Sequence, residues 1–128
     1  MIAAWVSDIP LGVAVIAVIF EIWPAEGLAG EYFDLAASLK GDLEAIDGFI
    51  SVERFESLVT KGKYLSLSFW RGDVSVHAWR NLERHRRAQA RGRGELFADY
   101  RLRVASVVRD YGLQERGDAP VDSRDVHG

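Results

Sequence analysis

Residues 13–23 read Val13-Ala14-Val15-Ile16-Ala17-Val18-Ile19-Phe20-Glu21-Ile22-Trp23, and their pattern decides the fold. Both alternating sets are apolar: Val13, Val15, Ala17 and Ile19 on one side, Ala14, Ile16, Val18, Phe20 and Ile22 on the other. A strand with one solvated face alternates apolar with polar, so this run predicts a strand covered on both faces. Pro24 ends it, because proline has no N–H to give to a ladder. The apolar stretch from Ile9 to Phe20 lies between Asp8 and Glu21. It is too short for a membrane helix, which needs about 20 apolar residues. The preceding MIAAWVSDIP has no Lys or Arg, unlike the basic start of a signal peptide. The expectation is a cytoplasmic chain with no membrane partner.

Downstream, Gly27 to Ile46 changes to helical period, with Leu28, Tyr32, Leu35, Leu39, Leu43 and Ile46 on one stripe. Asp47-Gly48 supplies the stop. Phe49–Leu58 and Lys63–Trp70 read as strands joined by a hairpin turn at Val59-Thr60-Lys61-Gly62. In the second strand Leu65, Leu67 and Phe69 alternate with Tyr64, Ser66, Ser68 and Trp70. Gly72-Asp73 opens a second helical region that Asn81 is expected to break, since asparagine suits caps better than helix interiors. Ala98 to Tyr111 reads as the last strand, with Tyr100, Leu102 and Val104 alternating against Asp99, Arg101 and Arg103. The segment after Gly112 has almost no core-forming residues and reads as a flexible tail.

Strand, helix, strand, strand, helix, strand is the split βαβ order of an α+β, ferredoxin-like domain. It places two helices on one face of a four-stranded antiparallel sheet. The other face stays open, yet the first strand is apolar on both sides, so a second copy of the chain packed sheet to sheet is the expected cover. The domain is expected over 13–112, with an N-terminal extension over 1–12 and the tail over 113–128. A length of 128 residues, 48% of them hydrophobic, suits one domain with a small core. With no cysteine, disulfides, thiolate zinc sites and cysteine nucleophiles are excluded. The formal charge of −3 gives no global reason to expect nucleic acid. Six arginines lie between Arg80 and Arg93, but they wind around a helix and Glu83 and Glu95 interrupt them. They read as a solvated helix face rather than a polyanion site. Phosphate-loop, dinucleotide and serine-elbow motifs are absent, and the three histidines stand in unrelated settings, so no metal site is expected.

Five segments together resemble the antibiotic biosynthesis monooxygenase family. They are Phe49-Ile50-Ser51-Val52-Glu53-Arg54-Phe55, Leu65-Ser66-Leu67-Ser68-Phe69-Trp70, Ala78-Trp79-Arg80-Asn81, Glu83-Arg84-His85-Arg86-Arg87-Ala88-Gln89 and Tyr100-Arg101-Leu102-Arg103-Val104. The resemblance covers about Val13 to Gly112. It implies a dimeric α+β barrel with a pocket between each sheet and its own helices. It also implies one of three roles. One is oxygenation of a flat aromatic or quinol-type molecule by O2 without metal or flavin; another is haem degradation; the third is a non-catalytic, ligand-binding dimer.

At about 100° per residue Leu82, His85, Gln89, Gly92 and Leu96 share one narrow face, with apolar ends that mark it as sheet-facing. His85 is the candidate general base, since an imidazole titrates near neutrality. Gln89 is the candidate group for orienting substrate or oxygen. Trp79 and Trp70 read as aromatic walls or as core, Tyr32 as a phenolic donor or as core, and Arg86 as lining for a pocket mouth. Tyr64 shares the mixed face of Trp70, and Phe20 lies on the first strand; both are candidate substrate contacts. The haem-degrading relatives have a tryptophan at the place of Trp79, an axial histidine where this chain has Gln89, and an asparagine where it has Phe20 or Glu21. Haem is therefore the alternative cofactor, with His85 as its ligand. His77 reads as structural and His127 has no role.

Overall fold

The computed structural model describes residues 14–91 and 96–127, with side chains for 14–84 and 96–126. Residues 1–12, expected as an extension, lie outside the described residues. The elements run β1 (Val15–Pro24), α1 (Ala29–Ser38), α2 (Lys40–Glu44), β2 (Phe49–Glu56), β3 (Tyr64–Arg71), α3 (Asp73–Arg91), β4 (Phe97–Ser106) and α4 (Val121–His127). The four strands form one antiparallel sheet in the order β2-β3-β1-β4, the ferredoxin-like arrangement expected from the sequence. The doubly apolar strand β1 is central, as its composition requires.

Register sorts the side chains into two faces. Val52, Ser68, Val18 and Val104 form one row of the inner face, and Arg54, Ser66, Phe20 and Leu102 form the next. On this face Ile16, Val18, Leu39, Leu43, Trp70, Val76 and Trp79 pack into one core cluster. Phe20, Ile22, Tyr32, Ala36 and Leu96 form a second. The opposite face carries Ala17, Ile19, Leu65, Leu67 and Phe69, and α1, α2 and α3 all pack on the other side.

Three sequence expectations change. The single helix expected over Gly27–Ile46 is two, meeting at Leu39. Ser38 Oγ donates to the Leu35 carbonyl at 2.6 Å, and the Leu39 N–H is shared between the Leu35 and Ala36 carbonyls at 3.2 and 3.3 Å. A hydroxyl back-bonded to the preceding turn and a tightened amide bend the chain there. The apolar stripe survives the joint, since Leu39 and Leu43 are both buried. Asn81 does not break α3, which runs through it. Its exposed amide lies 3.1 Å from His77 Nε2 and accepts from Arg84 Nη2 at 3.0 Å, so it bonds along the helix surface rather than competing for backbone groups. The stretch beyond β4, read as a tail, carries α4 and a set of turns held by Arg116. That guanidinium donates to the Gly112 carbonyl at 3.1 Å and to Ser123 Oγ at 2.7 Å, and stacks over Tyr111.

Gly48 fixes how α2 leads into β2. Its φ is +94°, and a Cβ there would meet Ser75 Oγ at 2.8 Å and the Arg71 carbonyl at 3.0 Å. The Arg71 N–H donates to the Gly48 carbonyl at 2.7 Å, tying the start of β2 to the end of β3. Only glycine meets both the backbone angle and the clearance.

Candidate functional site

Alternation along the strands sends Arg54, Ser66 and Phe20 to the inner face side by side. Above them α1 contributes Tyr32, Leu35 and Ala36, the joint contributes Leu39, α2 Leu43, and α3 contributes Trp79 and Glu83. These ten side chains line a cleft between sheet and helices. Its free volume is about 20 Å³, room for little more than a water, so a planar ligand requires lining side chains to move aside.

The walls are aromatic and interlocked. Phe20 meets Trp79 edge-on at 6.2 Å between ring centroids, Phe97 at 5.8 Å and Tyr100 at 5.6 Å, and Tyr32 meets Phe97 at 5.6 Å. Such T-shaped pairs set the angle of each ring and leave a flat surface towards the cleft. Among these apolar surfaces stand three polar groups. Glu83 is 8% exposed and engaged in a polar interaction of its own, Ser66 is 8% exposed, and Arg54 is partly buried. The Arg54 Nε–H is sealed from solvent and has no hydrogen-bond partner among the described residues.

The sequence-predicted residues are placed unevenly. Phe20, Tyr32 and Trp79 come together in the cleft. Trp70 is fully buried one row away, its Nε1 donating to Ser68 Oγ at 2.8 Å and its ring between Phe49 and Trp79; it is core beneath the cleft rather than a cleft wall. Tyr64 sits at the start of β3 against Phe33, 4.9 Å between ring centroids, and is not among the residues lining the cleft. His85, Arg86 and Gln89 lie on the last turns of α3, and their side chains are outside the described residues. His77, read as structural, is exposed, with Arg80 and Asn81 at 3.1 Å on its two ring nitrogens. Leu96 lies beyond α3, buried, with its carbonyl accepting from the Ala25 N–H at 2.9 Å.

Sequence reading missed Arg54 and Glu83. Val76, Trp79 and Glu83 are buried on α3 at i, i+3 and i+7, and Leu82 packs beside them against the core. The signal for Arg54 was its shared parity with Val52 on β2, which puts both on the helix-covered face. Neither residue resembles a site by type, because both sit among other charged residues in the sequence.

Among the described residues no group of three His, Asp or Glu side chains could hold a metal ion. Of the described cleft residues only Tyr32 belongs to a type that ligates haem iron. No described helix is long and apolar enough to cross a membrane.

On the outer face Glu21 accepts from Arg103 Nη1 at 2.9 Å and pairs with Lys63 Nζ at 3.2 Å. The hydrogen bond from Arg103, then that from Lys63, holds the Glu21 carboxyl below its usual value of 4.5. This ionic group is on the face away from the cleft.

Comparison with known proteins gives the same picture of fold and kinship. Residues 15–91 match the family described as antibiotic biosynthesis monooxygenase. The chain is 45% identical over 92 residues to "Jasmonate monooxygenase ABM" of Pyricularia oryzae, across 72% of this chain and 43% of that protein. It is 31% identical over 101 residues to the uncharacterized protein YqjZ of Bacillus subtilis, across 77% of this chain and 84% of that one. The chain thus spans less than half the length of the fungal relative. Among solved structures, Rv0793 from Mycobacterium tuberculosis superposes with a TM-score of 0.65 at 21% identity, covering 77% of this chain and 99% of that one. A mutant of MhuD with two manganese protoporphyrin IX molecules bound per active site superposes with a TM-score of 0.61 at 20% identity, covering 76% and 98%. These two likenesses concern the fold.

Proposed function

Because the chain belongs to the antibiotic biosynthesis monooxygenase family, we propose that its sheet–helix cleft oxygenates a flat aromatic or quinol-type molecule with O2. The observation that carries this reading is the cleft itself. Phe20, Tyr32 and Trp79 present aromatic surfaces, and the polar groups of Arg54, Ser66 and Glu83 stand among them. Flat apolar ligands bind in such sites, with a few polar groups fixing their orientation.

The chemistry needs no bound electron source when the substrate is itself electron-rich. A ring CH2 activated by a phenol or carbonyl loses a proton to a base, and the resulting anion reduces O2. One oxygen atom ends as the new C=O, the other leaves as water with both hydrogens, and the substrate supplies all the electrons. His85 is the proposed base, Gln89 the group that orients substrate or oxygen, and Trp79 a wall. Proton transfer by a positioned imidazole is worth about 10²–10⁴ in rate. Haem is the second cofactor reading, favoured by the fold shared with the porphyrin-bound MhuD mutant. Its ligand would be His85.

The proposed assembly is a homodimer in which the apolar outer sheet face, with Ile19, Leu65, Leu67 and Phe69, meets its copy. An oxygen-electrode assay with anthrone-type and hydroquinone substrates tests the activity, with His85→Ala and a haemin titration beside it. Oxygen uptake that falls in His85→Ala without a Soret shift supports cofactor-free oxygenation. A saturable Soret shift lost in His85→Ala assigns the site to haem instead. Neither signal would leave a non-catalytic module.

A further inference from the structure

We infer that Arg54 anchors a carboxylate on the planar ligand of the cleft, so that the site selects acids over their neutral esters. The inference rests on the cleft being the ligand site, and it goes beyond the oxygenation proposed for it.

The position of Arg54 is the first ground. It stands on the inner face of β2, opposite Ser66 and in the row that continues to Phe20 and Leu102. Among the described residues it is the cationic member of a cleft lining made of aliphatic and aromatic groups with Ser66 and Glu83. Residues of this kind are kept off inner sheet faces unless something pairs with them, because a guanidinium stays charged under all ordinary conditions.

The second ground is its pairing. The Nε–H is buried without a hydrogen-bond partner, and among the described residues the guanidinium makes no ion pair. Glu83, the carboxylate of the same cleft, has an interaction of its own. An unpaired buried donor is uncommon and costs stability, and a charged one more so. A donor in this state is satisfied by an acceptor that arrives with the ligand.

Geometry then selects the acceptor. Nε–H and the neighbouring Nη–H form a parallel fork that two oxygens of one carboxylate match. An ester offers only neutral acceptors and no second anionic oxygen. The flat remainder of the ligand is received by Phe20, Tyr32 and Trp79.

Isothermal titration calorimetry with 2-naphthoate and with methyl 2-naphthoate tests the inference on the full chain. Wild type is expected to bind the acid about tenfold more tightly than the ester, as a charge-assisted hydrogen bond implies. Arg54→Gln should bring the acid down to the level of the ester and leave the ester unchanged. Arg54→Lys should keep part of the preference, having the charge without the fork. The melting temperature of Arg54→Gln should hold or rise, because no internal pair is lost. Equal affinities in wild type, an acid preference that survives Arg54→Gln, or no binding of either probe would overturn the inference. A fall in melting temperature, as pairing with Glu83 would produce, would also overturn it. Acid selectivity without oxygen uptake on any quinol would sink the oxygenase reading and leave Arg54 as the anchor; oxygen uptake without acid selectivity would do the reverse.

Discussion

Trp70 and Trp79 touch, 6.4 Å between ring centroids, yet they play different parts. Trp70 is fully buried with its indole N–H satisfied inside the core, so Trp70→Ala should cost about 3–5 kcal/mol of stability, read from urea unfolding. Trp79 faces the cleft, and Trp79→Phe should weaken substrate binding while shifting the unfolding midpoint much less. His85→Ala should lower turnover about 10²–10⁴-fold with an unchanged circular dichroism spectrum. At this scale the sequence was readable by residue type, and less so by charge. Aromatic residues announce a pocket or a core, and Phe20, Tyr32 and Trp79 did so. Arg54 and Glu83 resembled the surface charges around them, and only strand register and the burial of α3 separate them from those neighbours.

Elements were legible where periodicity is long and unbroken. The central strand followed from its two apolar parities, and β2, β3 and β4 from alternation between turn signals. The break at Leu39 was not, because Leu39 and Leu43 keep the stripe in phase while Ser38 bends the backbone locally. Asn81 misled in the other direction, since its propensity is overridden once its amide bonds along the helix surface. The Gly48 junction gives a sharp test. Gly48→Ala places a Cβ against Ser75 and the Arg71 carbonyl at a φ of +94°, and should destabilise the domain by more than about 1 kcal/mol in thermal unfolding. On the outer face, Glu21 has its pKa lowered in the fold by Arg103 and Lys63. Its contribution is therefore complete above the usual value of 4.5 and is lost as pH falls through the lower folded value. Urea midpoints of wild type and Glu21→Gln should differ at pH 7 and converge as the pH drops well below 4.5.

For the whole molecule, the sheet divides two tasks. Its inner face, with the helices, builds the cleft; its outer face carries Ile19, Leu65, Leu67 and Phe69, with the Glu21 ion pairs beside them. A surface of this kind suits self-association, and for the proposed homodimer Leu67→Arg should shift sedimentation from dimer to monomer. The doubly apolar β1 made this division readable from sequence, while the polar lining of the cleft was not, because the cleft depends on six elements meeting. Whether the cleft oxygenates is answered most directly by turnover of an anthrone-type substrate under ¹⁸O2, with mass spectrometry of the product. Enzyme-dependent formation of the ketone with one ¹⁸O atom, lost in His85→Ala, is the expected result. A product free of the label, or labelled no faster than in buffer alone, would contradict it.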